Sequence, residues 1–186
     1  MVYPISKIWI YPICCILTKR IRGIGNVPSK PPFIVVSNHE RLIDPFYILY
    51  IMIKKLNKKI HFIAEPTWWF LGDMVCRQWA GCIPLFNSKQ AYNEIKKYLL
   101  NNKIIGIFPE GNYKKMLAKN FKTGFVRLAI ETKIPILPVG IKSSYIPFTT
   151  TLNIGKLIYL KKGSKNIEKQ TSDLMKLVYS LRDVRI

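Results

Sequence analysis

Two side chains able to share a proton stand five positions apart in the stretch Ser37-Asn38-His39-Glu40-Arg41-Leu42-Ile43-Asp44-Pro45-Phe46. Histidine is the usual general base near neutral pH because its ring titrates there. A carboxylate on the other ring nitrogen fixes the tautomer and stabilises the imidazolium as it forms. The setting draws attention to this pair, since the chain has 2 His and 10 Asp and Glu against 30 Lys and Arg. A plainer role is open to each residue. Asp44 ahead of Pro45 has the form of a helix N-cap followed by proline at the first helical position, and His39 could simply bond backbone in a loop.

Further groups could complete a site. Glu110, in Phe108-Pro109-Glu110-Gly111, follows an apolar run and could accept from hydroxyls of a polyol; otherwise it is a solvated turn residue. Lys89, Lys114, Lys115, Lys119 and Lys122 lie in or near segments that follow apolar runs. They could hold a phosphate, or be ordinary surface lysines. The runs at residues 81–86 and 134–140 carry no catalytic side chains and read as core strands with proline near their ends.

The elements that must position these groups alternate in type. Short apolar runs at 33–36, 59–64, 82–86, 104–108 and 134–141 read as strands. Segments at 45–54, 66–79, 88–101, 122–132 and 166–181 read as helices, the third capped by Ser88. Residues 158–161 read as an edge strand. Strands alternating with helices predict a single α/β domain with a mostly parallel central sheet flanked by helices. Ligands of such sheets bind outside the carboxyl ends of the strands, and His39 and Glu110 both fall just after a strand.

A chain of 186 residues with 49% hydrophobic and 12% aromatic residues can bury a core without disulfides or metals. Its net charge of +20 calls for an anionic partner: a membrane face, an acidic carrier protein or nucleic acid. Nucleic acid is not expected, because the lysines are scattered and no zinc-finger or RNA-recognition motif is present. Cys14, Cys15, Cys76 and Cys82 form no C-x-x-C pair, so free thiols and no metal site are expected, in a reducing compartment. Residues 1–22 combine Tyr3, Trp9, Tyr11 and several isoleucines with Lys19, Arg20 and Arg22. The run is too short and too interrupted to span a bilayer. It reads either as a membrane-associating segment ahead of a domain at 23–186, or as a helix packed on the core.

Taken together and in this order, the motifs resemble the PlsC-like glycerolipid acyltransferase family, whose members include the 1-acylglycerol-3-phosphate acyltransferases. The family's first block, N-H-x-x-x-x-D, is Asn38 to Asp44; its F-P-E-G block is Phe108 to Gly111; its proline-flanked apolar run is Ile134 to Val139. The two short blocks lie about 70 residues apart and in the right order, which makes the pair specific.

The resemblance implies the acyltransferase fold and a mechanism in which His39 takes the acceptor's proton and Asp44 orients His39. Glu110 and Gly111 would place the glycerol backbone. The implied donor is acyl-CoA or acyl carrier protein and the implied acceptor a lysophospholipid, at the cytoplasmic face of an anionic membrane. No cofactor is implied beyond the acyl thioester co-substrate. The family's phosphate-binding arginines are absent: Asn87 and Asn112-Tyr113 stand in those regions, so Lys89 and Lys114 are the substitutes expected to bind phosphate. Trp68, Trp69, Phe70 and Trp79 would face the membrane interface or the core. Two other functions stay open: a thioesterase or acyltransferase for a non-phosphorylated acceptor, and a basic, non-catalytic membrane-binding protein.

Overall fold

The computed structural model describes residues 4–65, 72–111, 121–161, 163 and 166–184. Trp68, Trp69, Phe70, Asn112, Lys114, Lys115 and Lys119 lie outside the described residues, as does the side chain of Trp79.

Helix α1 (Pro4–Leu17) runs into strand β1 (Thr18–Arg22). There follow β2 (Phe33–Ser37), α2 (Asp44–Lys55), β3 (Ile60–Ala64), a π-helical turn (Met74–Trp79), β4 (Cys82–Pro84), α3 (Ser88–Leu100) and β5 (Ile104–Ile107). The chain continues through α4 (Gly124–Thr132), β6 (Ile136–Lys142), β7 (Thr150–Ile154) and α5 (Ile167–Arg182). The strands form one seven-stranded sheet in the order β1-β7-β6-β2-β5-β3-β4. Every neighbouring pair is parallel except β6 with β7. The predicted mostly parallel α/β domain is therefore the observed one.

The period of two along a strand explains the layers. In β2, Phe33 and Val35 face a core shared with α1 and α2, while Ile34 and Val36 face a core shared with α3, α4 and α5. A sheet covered on both faces buries whole strands, so β2 and β5 read as unbroken apolar runs.

Several expectations change. Asp44 is not the cap of α2: Ile43 occupies that position, Asp44 is the first helical residue, and its carboxylate turns back into the preceding loop. Ser88 is likewise the first residue of α3. The cap is Asn87, whose Oδ1 accepts from the N–H groups of Lys89 and Gln90. Residues 158–161 form no strand; Ile158 makes one isolated antiparallel bridge to Ile136.

The sheet instead gains β7 and β1. β7, of sequence TTLNI, is wholly buried yet mostly polar, because partners exist for its polar groups. Thr150 Oγ1 lies 2.9 Å from Tyr47 Oη, and Asn153 Nδ2 donates to Leu181 O at 2.7 Å. β1, of sequence TKRIR, is an edge strand whose exposed positions are charged. The expected boundary at 22/23 thus falls at the end of a strand that pairs within the sheet. Upstream of it, α1 sends Ile10 and Cys14 into the core and leaves Ile8, Trp9, Ile13 and Ile16 exposed.

Candidate active site

The site lies at the carboxyl ends of three adjacent strands, β6, β2 and β5. The segment after β2 opens with Asn38, which is fully buried. Its Nδ2 donates to Ile141 O at 2.7 Å and its Oδ1 accepts from Ile141 N–H at 2.8 Å. Both bonds copy a strand-to-strand pairing, so the side chain extends the β2–β6 ladder by one residue. Arg41 then ties the loop to the end of β6, donating from Nε to Ser143 O at 3.0 Å.

Between these anchors, Asp44 Oδ2 gathers three donors. The N–H groups of Glu40 and Arg41 reach it at 2.6 and 2.8 Å, and His39 Nδ1 lies 3.0 Å away. The carboxylate is fully buried. It can only accept, so Nδ1 carries the proton and the neutral ring keeps its lone pair on Nε2. The two backbone bonds close the loop into a tight turn that sets the His39–Asp44 distance. This is the arrangement a general base needs: an oriented ring, a buried counter-charge for its protonated form, and a second, basic ring nitrogen.

The Phe108–Gly111 turn comes from the neighbouring strand. Gly111 N–H donates to Phe108 O at 3.0 Å, with Gly111 at φ 75°, a value that favours glycine. Phe108 stacks on His39 with ring centroids 4.3 Å apart, and on Phe62 of β3 at 5.9 Å. The turn buries Glu110, only 4% exposed. Glu110 Oε1 accepts from the Tyr179 hydroxyl at 2.7 Å, while Oε2 is buried and accepts no hydrogen bond among the described residues. Burial pushes the Glu110 carboxyl up to about 7; Tyr179, the nearby backbone N–H and ring of His39 oppose that rise, and Asp44 adds to it.

The structure therefore brings His39, Asp44, Glu110 and Gly111 together. Lys89 is exposed and is the second residue of α3, which follows β4; β5 and β3 lie between β4 and β2. Lys122 lies beside the Phe108–Gly111 turn. Its N–H donates to Pro109 O at 2.9 Å, and its Cε is 3.9 Å from where a Cβ on Gly111 would stand. The second histidine, His61, is structural: it is buried in β3 with Nδ1 3.1 Å from Gly81 O, and burial lowers its ring to about 4.

Sequence reasoning did not find Glu40, Ser143, Tyr179 or Arg182. Arg182 Nη1 pairs with Glu40 Oε1 at 3.2 Å, and Glu40 Oε2 accepts from Ser143 N–H at 3.3 Å. The Ser143–Glu40 and Tyr179–Glu110 partners are 103 and 69 residues apart, and no local pattern marks such pairs.

Among proteins of known sequence, the 1-acyl-sn-glycerol-3-phosphate acyltransferase alpha of Mus musculus is 28% identical over 138 residues, covering 69% of this chain and 46% of that protein. The 1-acyl-sn-glycerol-3-phosphate acyltransferase of Cocos nucifera is 29% identical over 140 residues, covering 70% of this chain and 44% of that protein. The chain thus spans less than half the length of these relatives. The fold is that of the crystal structure of the 1-acyl-sn-glycerophosphate (LPA) acyltransferase PlsC from Thermotoga maritima, with TM-score 0.70 and 23% identity over 95% of this chain and 79% of that one. Residues 19–142 match the family model described as Acyltransferase, and this span contains His39, Asp44 and Glu110 with the strands that carry them, so the chain belongs to the acyltransferase family.

Proposed function

We propose that the protein is an O-acyltransferase that moves a fatty acyl group from an acyl thioester, acyl-CoA or acyl carrier protein, to the free hydroxyl of 1-acylglycerol-3-phosphate, in phospholipid synthesis. The observation that carries this reading is the His39 Nδ1–Asp44 Oδ2 contact of 3.0 Å, which leaves Nε2 basic at the carboxyl end of the sheet. Nε2 takes the hydroxyl proton as the acceptor oxygen bonds to the thioester carbonyl carbon. The resulting tetrahedral intermediate collapses, the C–S bond breaks, and the imidazolium returns its proton to the leaving thiolate. No acyl-enzyme forms and no cofactor takes part beyond the thioester co-substrate. Glu110 and Gly111 receive the acceptor's glycerol backbone, and Lys122, Lys89 and Lys114 supply cations for its phosphate.

The same reading places the protein on the cytoplasmic face of an anionic membrane. The exposed Ile8, Trp9, Ile13 and Ile16 of α1 and the net charge of +20 support this placement. Four free cysteines support a reducing compartment. No helix among the described residues is long and apolar enough to cross a membrane, so α1 would lie on the surface.

A second reading, transfer to a non-phosphorylated acceptor or to water, draws on Asn87 being spent as a helix cap. Product analysis separates the two. Purified protein in detergent is given a long-chain acyl-CoA with lysophosphatidate or with monoacylglycerol. Phosphatidate forming faster than diacylglycerol is the expected result. Equal rates, or free fatty acid with neither acceptor consumed, would favour the second reading.

A further inference from the structure

The span matching the family ends at residue 142, yet helix α5 reaches back into the site from residues 167–182. The contact is built closely. A Cβ on Gly140 would stand 2.2 Å from Arg182 N and 2.5 Å from Leu181 C, so glycine lets the last turn of α5 lie directly on β6. Asn153 holds that turn from the other side through Leu181 O. From it, Arg182 reaches Glu40, the residue after His39, and Tyr179 reaches Glu110.

We propose that the C-terminal turn of α5 is part of the active site and that Tyr179 is a positioning residue, fixing the Glu110 carboxyl so that Oε1 is occupied and Oε2 is presented to the acceptor beside His39. This rests on the acyltransferase reading for the identity of the acceptor, but the Tyr179–Glu110 coupling does not depend on it.

The geometry is specific. Tyr179 donates at 2.7 Å to one carboxyl oxygen, and the other is buried with no hydrogen bond among the described residues. A buried acceptor left unmade is costly, and a ligand hydroxyl would satisfy it. Burial and the Glu110 carboxyl push the Tyr179 hydroxyl well above the usual phenol range, so it stays a donor at any working pH. The groups that act on Glu110 are Tyr179 from α5, the backbone and ring of His39, and Asp44 at the start of α2. Tyr179 is the one whose loss leaves the base pair untouched. Its ring also packs near Phe121 and under Arg182, contacts that Tyr179→Phe preserves.

The test compares wild type with Tyr179→Phe. The first arm follows the Glu110 carboxyl stretch by infrared pH titration, with Glu110→Gln assigning the band. Loss of one hydrogen bond to the charged form should raise its midpoint by about one pH unit. The second arm measures KM for lysophosphatidate at constant acyl-CoA. A one-unit rise from about 7 cuts the ionised fraction at pH 7 by about fivefold, so acceptor KM should rise about fivefold there and return towards wild type at pH 9, with kcat changed little. An unmoved titration midpoint would overturn the coupling. A moved midpoint with unchanged acceptor KM at pH 7 would overturn its role in presenting Oε2. The infrared arm needs no turnover, so a wild type that acylates no lysophosphatidate would contradict the proposed function while the coupling was still decided.

Discussion

Phe108 lies nearly face to face with His39, the two ring centroids 4.3 Å apart and the planes inclined by 25°. This contact joins two sequence blocks that sit on adjacent strands, β2 and β5, and it gives the imidazole a wall opposite the polar grip of Asp44. A ring held by one hydrogen bond can still swing about its side-chain torsions; a stacked neighbour removes that freedom.

Phe108→Leu should therefore keep the fold and lower kcat by roughly tenfold, since small misplacement of a base costs far more in rate than in binding. Steady-state kinetics with thermal unfolding check it. A variant as active as wild type would mean that Asp44 alone orients the ring.

Asp44→Asn should cost both rate and stability. The amide can replace one acceptor oxygen but not serve as counter-charge, and if its NH2 turned inward it would face three donors. Leaving such groups unsatisfied costs about 1–3 kcal/mol. Loss of the correct tautomer should lower kcat by about 10²–10⁴-fold. Denaturant titration and kcat on the same preparation separate the two effects.

Glu110 should make the protein less stable at alkaline pH. Its folded carboxyl holds a proton up to about 7, against 4.5 for the ordinary group. The folded state thus binds more protons than the unfolded chain between these values. The stabilisation is fully present below about 4.5 and is lost as pH rises through about 7, amounting to about 3 kcal/mol at most. Wild type should lose more stability than Glu110→Gln between pH 5 and pH 8, read from parallel denaturation curves. Parallel losses in the two proteins would contradict it.

The outer face of α1 should hold the protein on anionic vesicles. Trp9 packs edge to face against Phe46 of α2, at 5.8 Å, and Phe148 N–H donates to Ile16 O, so the exposed apolar side chains continue from α1 across α2 towards the β6–β7 connection. Ile8→Ser with Ile13→Ser should reduce sedimentation with phosphatidylserine-containing vesicles by at least tenfold, from two lost apolar contacts of the order of 1–2 kcal/mol each. Binding that is unchanged would assign membrane attachment to another surface.

The fold and the base pair were legible in the sequence because both are local. The apolar runs of β2 and β5 are unbroken since both sheet faces are covered, and His39 and Asp44 belong to one turn. β7 was not legible, because Thr150 and Asn153 are buried polar residues whose partners, Tyr47 and Leu181, come from distant segments. β1 was hidden by the charges an edge strand carries on its open side. Asp44 read as a helix cap because it precedes Pro45, and only the loop geometry shows its carboxylate turned towards Glu40 and Arg41 instead.

The proposed transfer of an acyl group to lysophosphatidate by His39, held by Asp44, can be tested by free-thiol release from a long-chain acyl-CoA. Wild type and His39→Ala are each compared with and without lysophosphatidate. Wild type should release thiol only when the acceptor is present, and His39→Ala, folded as wild type, should do so about 10²–10⁴-fold more slowly. Near wild-type release by His39→Ala would contradict it.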